Sequence, residues 1–146
     1  MKIRVLLVDD EKDFVEALGE RLEVRGFEVM KAFCGAEALA LLKEQEADVI
    51  VLDMLMPGKD GLQTLREIKE IRPLAEIILL TGHGTPGKGV DSIQTGAFNY
   101  MTKPANLKDL LENILKAYKC KSEHEERIRR ANILRVELSL GDPDIG

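Results

Sequence analysis

Val49-Ile50-Val51-Leu52-Asp53 is the stretch that decides the fold. Four consecutive apolar side chains put hydrocarbon on both faces of a strand, a pattern suited to a central parallel strand covered on both sides. The run then ends on an acid. Three other strand-like runs likewise lead into a polar or charged residue. Val5-Leu6-Leu7-Val8 ends in Asp9-Asp10, Ile77-Ile78-Leu79-Leu80 ends in Thr81, and Asn99-Tyr100-Met101-Thr102 leads into Lys103-Pro104.

Working outward, apolar runs alternate with helix-period segments. Ile3–Val8 reads as a strand, and Asp13–Arg25 as a helix with Phe14, Ala17, Leu18 and Leu22 inward and Gly26 as its stop. Phe27–Ala32 is a weaker strand, Ala36–Glu46 a helix with Ala38, Leu41 and Leu42 inward, and Asp48–Asp53 the central strand. Pro57-Gly58-Lys59-Asp60-Gly61 is a turn cluster. Leu62–Arg72 is a helix with Leu62, Leu65 and Ile68 inward, stopped by Pro73, and Glu76–Leu80 is a strand. A short fourth helix over Val90–Thr95 ends at Gly96, and Phe98–Met101 is the fifth strand. The fifth helix, Leu107–Lys119, turns Leu107, Leu110, Leu111, Ile114, Leu115 and Tyr118 inward. Five strand–helix units in strict alternation predict an α/β fold, a doubly wound parallel sheet with helices on both faces. Right-handed crossovers bring every strand's carboxyl end to one edge, where ligands bind. Asp9, Asp10, Asp53, Thr81 and Lys103 all sit at such ends, so the spacing alone argues that they meet.

The 146 residues make one domain with at most an appendage, and 45% apolar content is enough for a core. A net charge of −5 without a basic block gives no electrostatic case for direct nucleic-acid binding. No apolar run approaches the roughly 20 residues that cross a bilayer, and the N-terminus has no signal-peptide pattern, so no membrane association is expected. Cys34 and Cys120 are too few and too unpatterned for a disulfide framework or a metal site; they read as two reduced thiols in a cytoplasmic protein.

Physical chemistry gives the strand-end constellation a use. Two like charges about 4 Å apart cost roughly 4 kcal/mol at an effective dielectric near 20, so three clustered carboxylates invite a cation. An all-oxygen site that also receives phosphate suits Mg²⁺. Phosphoryl transfer needs charge neutralised and reactants aligned, and carboxylates form acyl phosphates. Read singly, each residue has a plainer account: Asp9-Asp10-Glu11 as an acidic first helical turn, Asp53 as a loop acid, Thr81 as a helix cap, Lys103 as a surface charge, Tyr100 as core.

Together, Leu7-Val8-Asp9-Asp10-Glu11, Leu52-Asp53-Met54-Leu55-Met56-Pro57-Gly58-Lys59-Asp60-Gly61, Leu80-Thr81-Gly82, Gly96-Ala97 and Tyr100-Met101-Thr102-Lys103-Pro104 resemble the receiver domain of a two-component response regulator, single-domain and chemotaxis-regulator-like. The resemblance covers about residues 2–120. It implies a flavodoxin-like (βα)5 sheet with strand order 2-1-3-4-5. It implies that Asp53 accepts a phosphoryl group from a histidine kinase or phosphotransfer protein, and that Asp10 and Asp53 ligate Mg²⁺ with Asp9 acting through water. The Leu55 backbone carbonyl is implied as a further ligand. Lys103 would pair with a phosphoryl oxygen, Thr81 would hydrogen-bond another, and Tyr100 would follow Thr81 as the switch aromatic. Pro104 is expected to follow a cis peptide. The resemblance puts partners on the face formed by the fourth helix, fifth strand and fifth helix, with Lys88, Asp91, Gln94, Tyr100 and Lys108 as candidates. The downstream protein is not specified, and a homodimer through this face or the tail is an option. Apart from self-phosphorylation and slow self-dephosphorylation, no enzyme activity is expected.

Three features depart from the family pattern. Leu55 and His83 occupy positions that tune phosphoryl lifetime; Leu55 cannot orient water, which predicts slow hydrolysis, while His83 reads as a solvated loop residue. Thr85-Pro86-Gly87-Lys88-Gly89 falls where the fourth helix should begin and predicts a late-starting or mobile helix, or merely a longer loop. The domain is expected over 1–121. The tail, 122–146, is open between an extension of the fifth helix, a lone strand (Leu134, Val136, Leu138 and Leu140 alternate with polar residues) and disorder, with Gly141-Asp142-Pro143-Asp144 as a breaker. Two other functional readings stand beside the stand-alone switch. One is an aspartate-nucleophile phosphatase, disfavoured because such enzymes carry an acid where Leu55 stands. The other is the receiver part of a longer transcriptional regulator, against which the turn-rich end speaks.

Overall fold

The structure, a computed structural model, describes residues 2–55, 61–82 and 96–140. Pro57–Asp60, His83, Thr85–Gly89, the helix expected over Val90–Thr95 with Lys88, Asp91 and Gln94, and Gly141–Asp144 lie outside the described residues.

Five parallel strands form one sheet in the order β2-β1-β3-β4-β5: β1 Arg4–Val8, β2 Glu28–Ala32, β3 Val49–Asp53, β4 Glu76–Thr81 and β5 Asn99–Thr102. The flavodoxin-like order is therefore the observed one. β3 and β4 are buried along their whole length, as their apolar sequences require. Alternate side chains separate into two cores. Leu6, Ile50, Leu52, Ile77 and Leu79 pack with α2 (Gly35–Glu44) and α3 (Gly61–Ile71). Val5, Leu7, Val51, Ile78 and Leu80 pack with α1 (Lys12–Val24) and the C-terminal helix (Leu107–Leu140). Asp9 and Asp53 stand at the carboxyl ends of neighbouring strands because Val8 is paired with Leu52.

The phase of α1 differs from the expected one. Val15, Leu18, Gly19 and Leu22 are its buried residues, while Phe14 is half-buried and Ala17 exposed. The buried stripe lies about one residue on from the Phe14–Ala17 line, which the sequence pattern does not exclude because an alanine fits either face. Leu115, expected inward, is exposed; Leu110, Ile114 and Ala117 hold the buried line instead. The small Ala117 lets the helix approach β4, a place the pattern of large side chains does not reveal. Gly26, at φ +91°, ends α1 in the left-handed conformation that favours glycine.

The C-terminal helix does not stop at Lys119 but continues to Leu140, so the tail up to that residue is helical and the strand period read over Leu134–Leu140 is not expressed. Ion pairs along the helix support the extension. Lys121 Nζ lies 3.3 Å from Glu125 Oε1, Arg130 Nε 3.2 Å from Glu126 Oε1 and Arg129 Nη1 2.7 Å from Glu126 Oε2, each pair adding a few tenths of a kcal/mol to a helix. Where the helix passes the amino-terminal edge of the sheet, Lys121 is buried. Its Nζ donates to Asp48 Oδ1 at 2.6 Å, while the Arg4 backbone N–H donates to Asp48 Oδ2 at 2.8 Å. Beyond this point Ile128, Ile133, Leu134, Val136 and Leu138 are exposed.

Candidate functional site

Three strand ends and one loop build the site. Asp9 and Asp10 follow β1, Asp53 ends β3, and Lys103 follows β5 through a backbone N–H that donates to the Thr81 carbonyl at 2.7 Å. The loop after Asp53 is pinned twice. Met54 N–H donates to the Leu80 carbonyl at 2.9 Å, and Gly61 N–H donates to the Met54 carbonyl at 2.9 Å. Gly61 is required there, because a Cβ on it would lie 2.6 Å from Met54 Cα. The Lys103–Pro104 peptide is cis, as expected.

Asp9, Asp10 and Asp53 each turn a carboxylate oxygen inward so that the three atoms lie within 4.8 Å of one another. Asp9 and Asp53 are buried and Asp10 is exposed, so the cluster opens to solvent on the Asp10 side. Lys103 Nζ donates to Asp9 Oδ2 at 2.7 Å, and lies 3.3 Å from Glu11 Oε1 and 3.7 Å from Asp53 Oδ2. The Phe14 ring covers the ammonium, its centroid 4.8 Å from Nζ, a cation–π contact. Glu11 N–H and Leu55 N–H donate to Asp9 Oδ1 at 2.9 Å and Asp53 Oδ1 at 3.2 Å, fixing both carboxylates.

These positions set the site's acidity. Burial first, then the Asp9 carboxylate, pushes Asp53 up to about 6, against the pull of the Leu55 N–H and the Lys103 ammonium. Burial alone would lower Lys103, but its hydrogen bond to Asp9 and the Asp53 charge hold it above its ordinary value. The carboxylates thus repel one another at close range, and one ammonium offsets them incompletely.

Of the expected residues, Asp9, Asp10, Asp53 and Lys103 come together. Thr81 stands at the end of β4, but its hydroxyl donates to the Met101 carbonyl at 3.3 Å and is engaged with β5. Tyr100 is half-buried against the core beneath α2 and α3. Leu55 exposes its side chain (55%), and Gly82 faces it, an ideal Cβ there lying 3.7 Å from Leu55 Cδ1. Two further residues join the site: Glu11, which the sequence reads only as part of the acidic motif, and Phe14, which it reads as core. Glu11 lies in the acidic motif itself, and Phe14 follows Asp10 by four residues, one helical turn on.

Residues 5–115 match the family described as the response regulator receiver domain. The chain is 35% identical over 137 residues to the transcriptional regulatory protein GlrR of Escherichia coli, covering 93% of this chain and 31% of that protein. It is 37% identical over 113 residues to the C4-dicarboxylate transport transcriptional regulatory protein DctD of Rhizobium meliloti, covering 77% of this chain and 25% of that one. It therefore spans about a third or less of these two curated relatives. Among solved structures, a response regulator receiver domain from Clostridium thermocellum superposes with TM-score 0.78 at 36% identity, over 82% of this chain and 97% of that one. A CheY-like receiver domain from Methanospirillum hungatei gives TM-score 0.80 at 29% identity, over 85% and 99%. With its sheet order, its acidic strand ends and its lysine–proline loop, the chain belongs to the response regulator receiver domains, the signalling switches of two-component systems.

Proposed function

We propose that this domain accepts a phosphoryl group on Asp53 from a histidine kinase or phosphotransfer protein, with Mg²⁺ held by Asp10 and Asp53 directly, by Asp9 through water and by the Leu55 carbonyl. The observation that carries the reading is the convergence of three carboxylate oxygens within 4.8 Å, with the Lys103 ammonium 3.7 Å from Asp53. The all-oxygen donor set fits Mg²⁺, which takes carboxylates together with phosphate oxygens and retained waters. When bound, the cation offsets the charge that builds on the transferring phosphoryl group. An Asp53 oxygen forms the new O–P bond as the donor's N–P bond breaks, and the electron pair stays on the departing imidazole nitrogen. The added group brings about −1.5 to −2 charge. Lys103 follows it, loosening its hold on Asp9, and Thr81 leaves the Met101 carbonyl for a phosphoryl oxygen. Tyr100 and the surface bearing Lys108 read out that change, through a protein partner or a second copy of the domain, in the cytoplasm and without direct contact to nucleic acid by this domain. The apolar Leu55 gives Asp53 no group to orient an attacking water, which supports a long-lived phosphoryl state and disfavours a phosphatase.

The test is incubation with acetyl phosphate and Mg²⁺, followed by intact mass. The parent gains one phosphoryl group and Asp53→Asn gains none. Absence of any gain with every small-molecule and protein donor overturns the reading. A second reading, the receiver portion of a longer transcriptional regulator, is favoured by the lengths of the relatives, of which this chain spans 31% and 25%. A transcript that continues in frame past Gly146 supports it, and a stop codon there rejects it.

A further inference from the structure

At the amino-terminal edge of the sheet, opposite the acidic pocket, a second set of metal-ligating atoms converges. Glu76 begins β4 and is nine-tenths buried, on a strand otherwise wholly apolar from Ile77 to Leu80. It faces the C-terminal helix, since it alternates in phase with Ile78 and Leu80. Cys120 and His124 lie four residues apart on that helix and so share a face. One oxygen of Glu76, the sulfur of Cys120 and one ring nitrogen of His124 lie within 4.8 Å of one another.

Among the described residues the Glu76 carboxylate forms no hydrogen bond or ion pair. The nearby Lys69 is committed elsewhere, its Nζ donating to the carbonyls of Ala75 at 2.8 Å and Pro73 at 3.3 Å. No oxygen of that carboxylate is both unpartnered and sealed from solvent, so it can turn an oxygen to a cation beside Cys120 and His124.

We propose that Glu76, Cys120 and His124 bind Zn²⁺. The donor chemistry selects the metal: thiolate, imidazole and carboxylate together suit a borderline-soft ion, unlike the all-oxygen pocket at the other edge. Metal–ligand bonds of about 2.0–2.3 Å put tetrahedral donors about 3.5 Å apart, so side-chain rotations of Cys120 and His124 close the remaining gap. Both are only partly buried, which leaves room for their movement and for a water as fourth ligand. Occupied, the site would staple the start of β4 to the turn of helix that leaves the domain.

The experiment uses the full chain with excess Mg²⁺ present, so that the acidic pocket is not competing. Zn²⁺ is titrated by calorimetry, and Co²⁺ serves as the spectroscopic probe. One equivalent of Zn²⁺ binds, thermal stability rises, and Co²⁺ gives a thiolate charge-transfer band with tetrahedral d–d absorption. The band disappears in Cys120→Ser and persists in Cys34→Ser and Asp53→Asn. Glu76→Gln and His124→Ala each weaken Zn²⁺ by more than about tenfold, at least the loss seen when a partner of a metal ligand is removed. Absence of a thiolate band, its survival in Cys120→Ser, or loss of Zn²⁺ binding in Asp53→Asn overturns the proposal. Circular dichroism of each variant separates lost binding from lost fold, and Cys120→Ser, at a partly exposed position, remains informative should Glu76→Gln unfold.

Discussion

Removing the charge at Asp53 should make the metal-free protein more stable. The Asp53 carboxyl sits at about 6 against an ordinary 3.8, a rise of about two units, and each unit is worth about 1.4 kcal/mol. Two to three kcal/mol is the ceiling, and solvent entering beside the exposed Asp10 reduces it to about 1–2 kcal/mol. The sign follows from linkage. An acid whose folded value lies above its unfolded one penalises the fold once ionised, so the penalty is complete above about pH 6 and fades as pH falls. Asp53→Asn keeps an oxygen for the Leu55 N–H, now 3.2 Å from Oδ1, and deletes the repulsion with Asp9. In chelator at pH 8 the variant should melt about 3–8 °C above the parent, with the advantage reduced by about half at pH 5. Mg²⁺ should reverse the order, since a ligand at 100 times its dissociation constant adds about 2.7 kcal/mol to whichever protein binds it. Calorimetric melting of both proteins at the two pH values, with and without Mg²⁺, makes the comparison. A variant less stable than the parent in chelator at pH 8, or equal Mg²⁺ stabilisation of both, would refute the reasoning.

Lys121→Met leaves Asp48 buried and half-paired, and should cost about 3–5 kcal/mol in urea unfolding; a loss under 1 kcal/mol contradicts the role given to this pair. Burial alone would raise Asp48, but Lys121 and the Arg4 N–H hold it below its ordinary value, so this contribution is present at neutral pH and fades as pH falls below about 4. That acid-side fading should be absent in the Lys121→Met variant. Gly61→Ala should destabilise by about 1–3 kcal/mol and slow acetyl phosphate labelling, because its Cβ would press on Met54 Cα at 2.6 Å and move the loop that follows Asp53; unchanged stability and labelling count against that account. Leu55→Asn should shorten the phosphorylated state about tenfold, about 1.4 kcal/mol in barrier, read as phosphoprotein decay by intact mass; an unchanged lifetime removes Leu55 as its determinant.

The sheet and its pocket were legible because each depends on local sequence. A doubly apolar run such as Val49–Leu52 announces a central strand, and the residue just past it must fall at the sheet's edge. Topology then does the assembling, so Asp9, Asp53 and Lys103 meet although 94 residues separate the first and last. What stayed hidden depends on contacts across the chain. Nothing near Asp48 indicates that Lys121 will pair with it, and nothing in a two-cysteine chain points from Cys120 to Glu76 before β4 and the C-terminal helix are superposed. The tail was ambiguous for a different reason: Leu134, Val136 and Leu138 alternate as a strand does, while Ile128, Ala131 and Leu134 fit a helix. Continuity with an already formed helix and its ion pairs decides between them, since propagating a helix costs far less than nucleating a strand with no neighbour.

The unbroken helix from Leu107 to Leu140 also has a mechanical consequence. Its part beyond Lys121 comprises 19 residues, 122 through 140, and at 1.5 Å per residue reaches about 28 Å past the sheet. Anchored at Asp48, it works as a lever with its fulcrum at the domain's edge. A tilt of about 5° at that fulcrum would carry the far end about 2.5 Å. The distance a partner senses would then be set by the arm's length as much as by the movement at Asp53, and inserting or deleting a turn would retune it without touching the pocket.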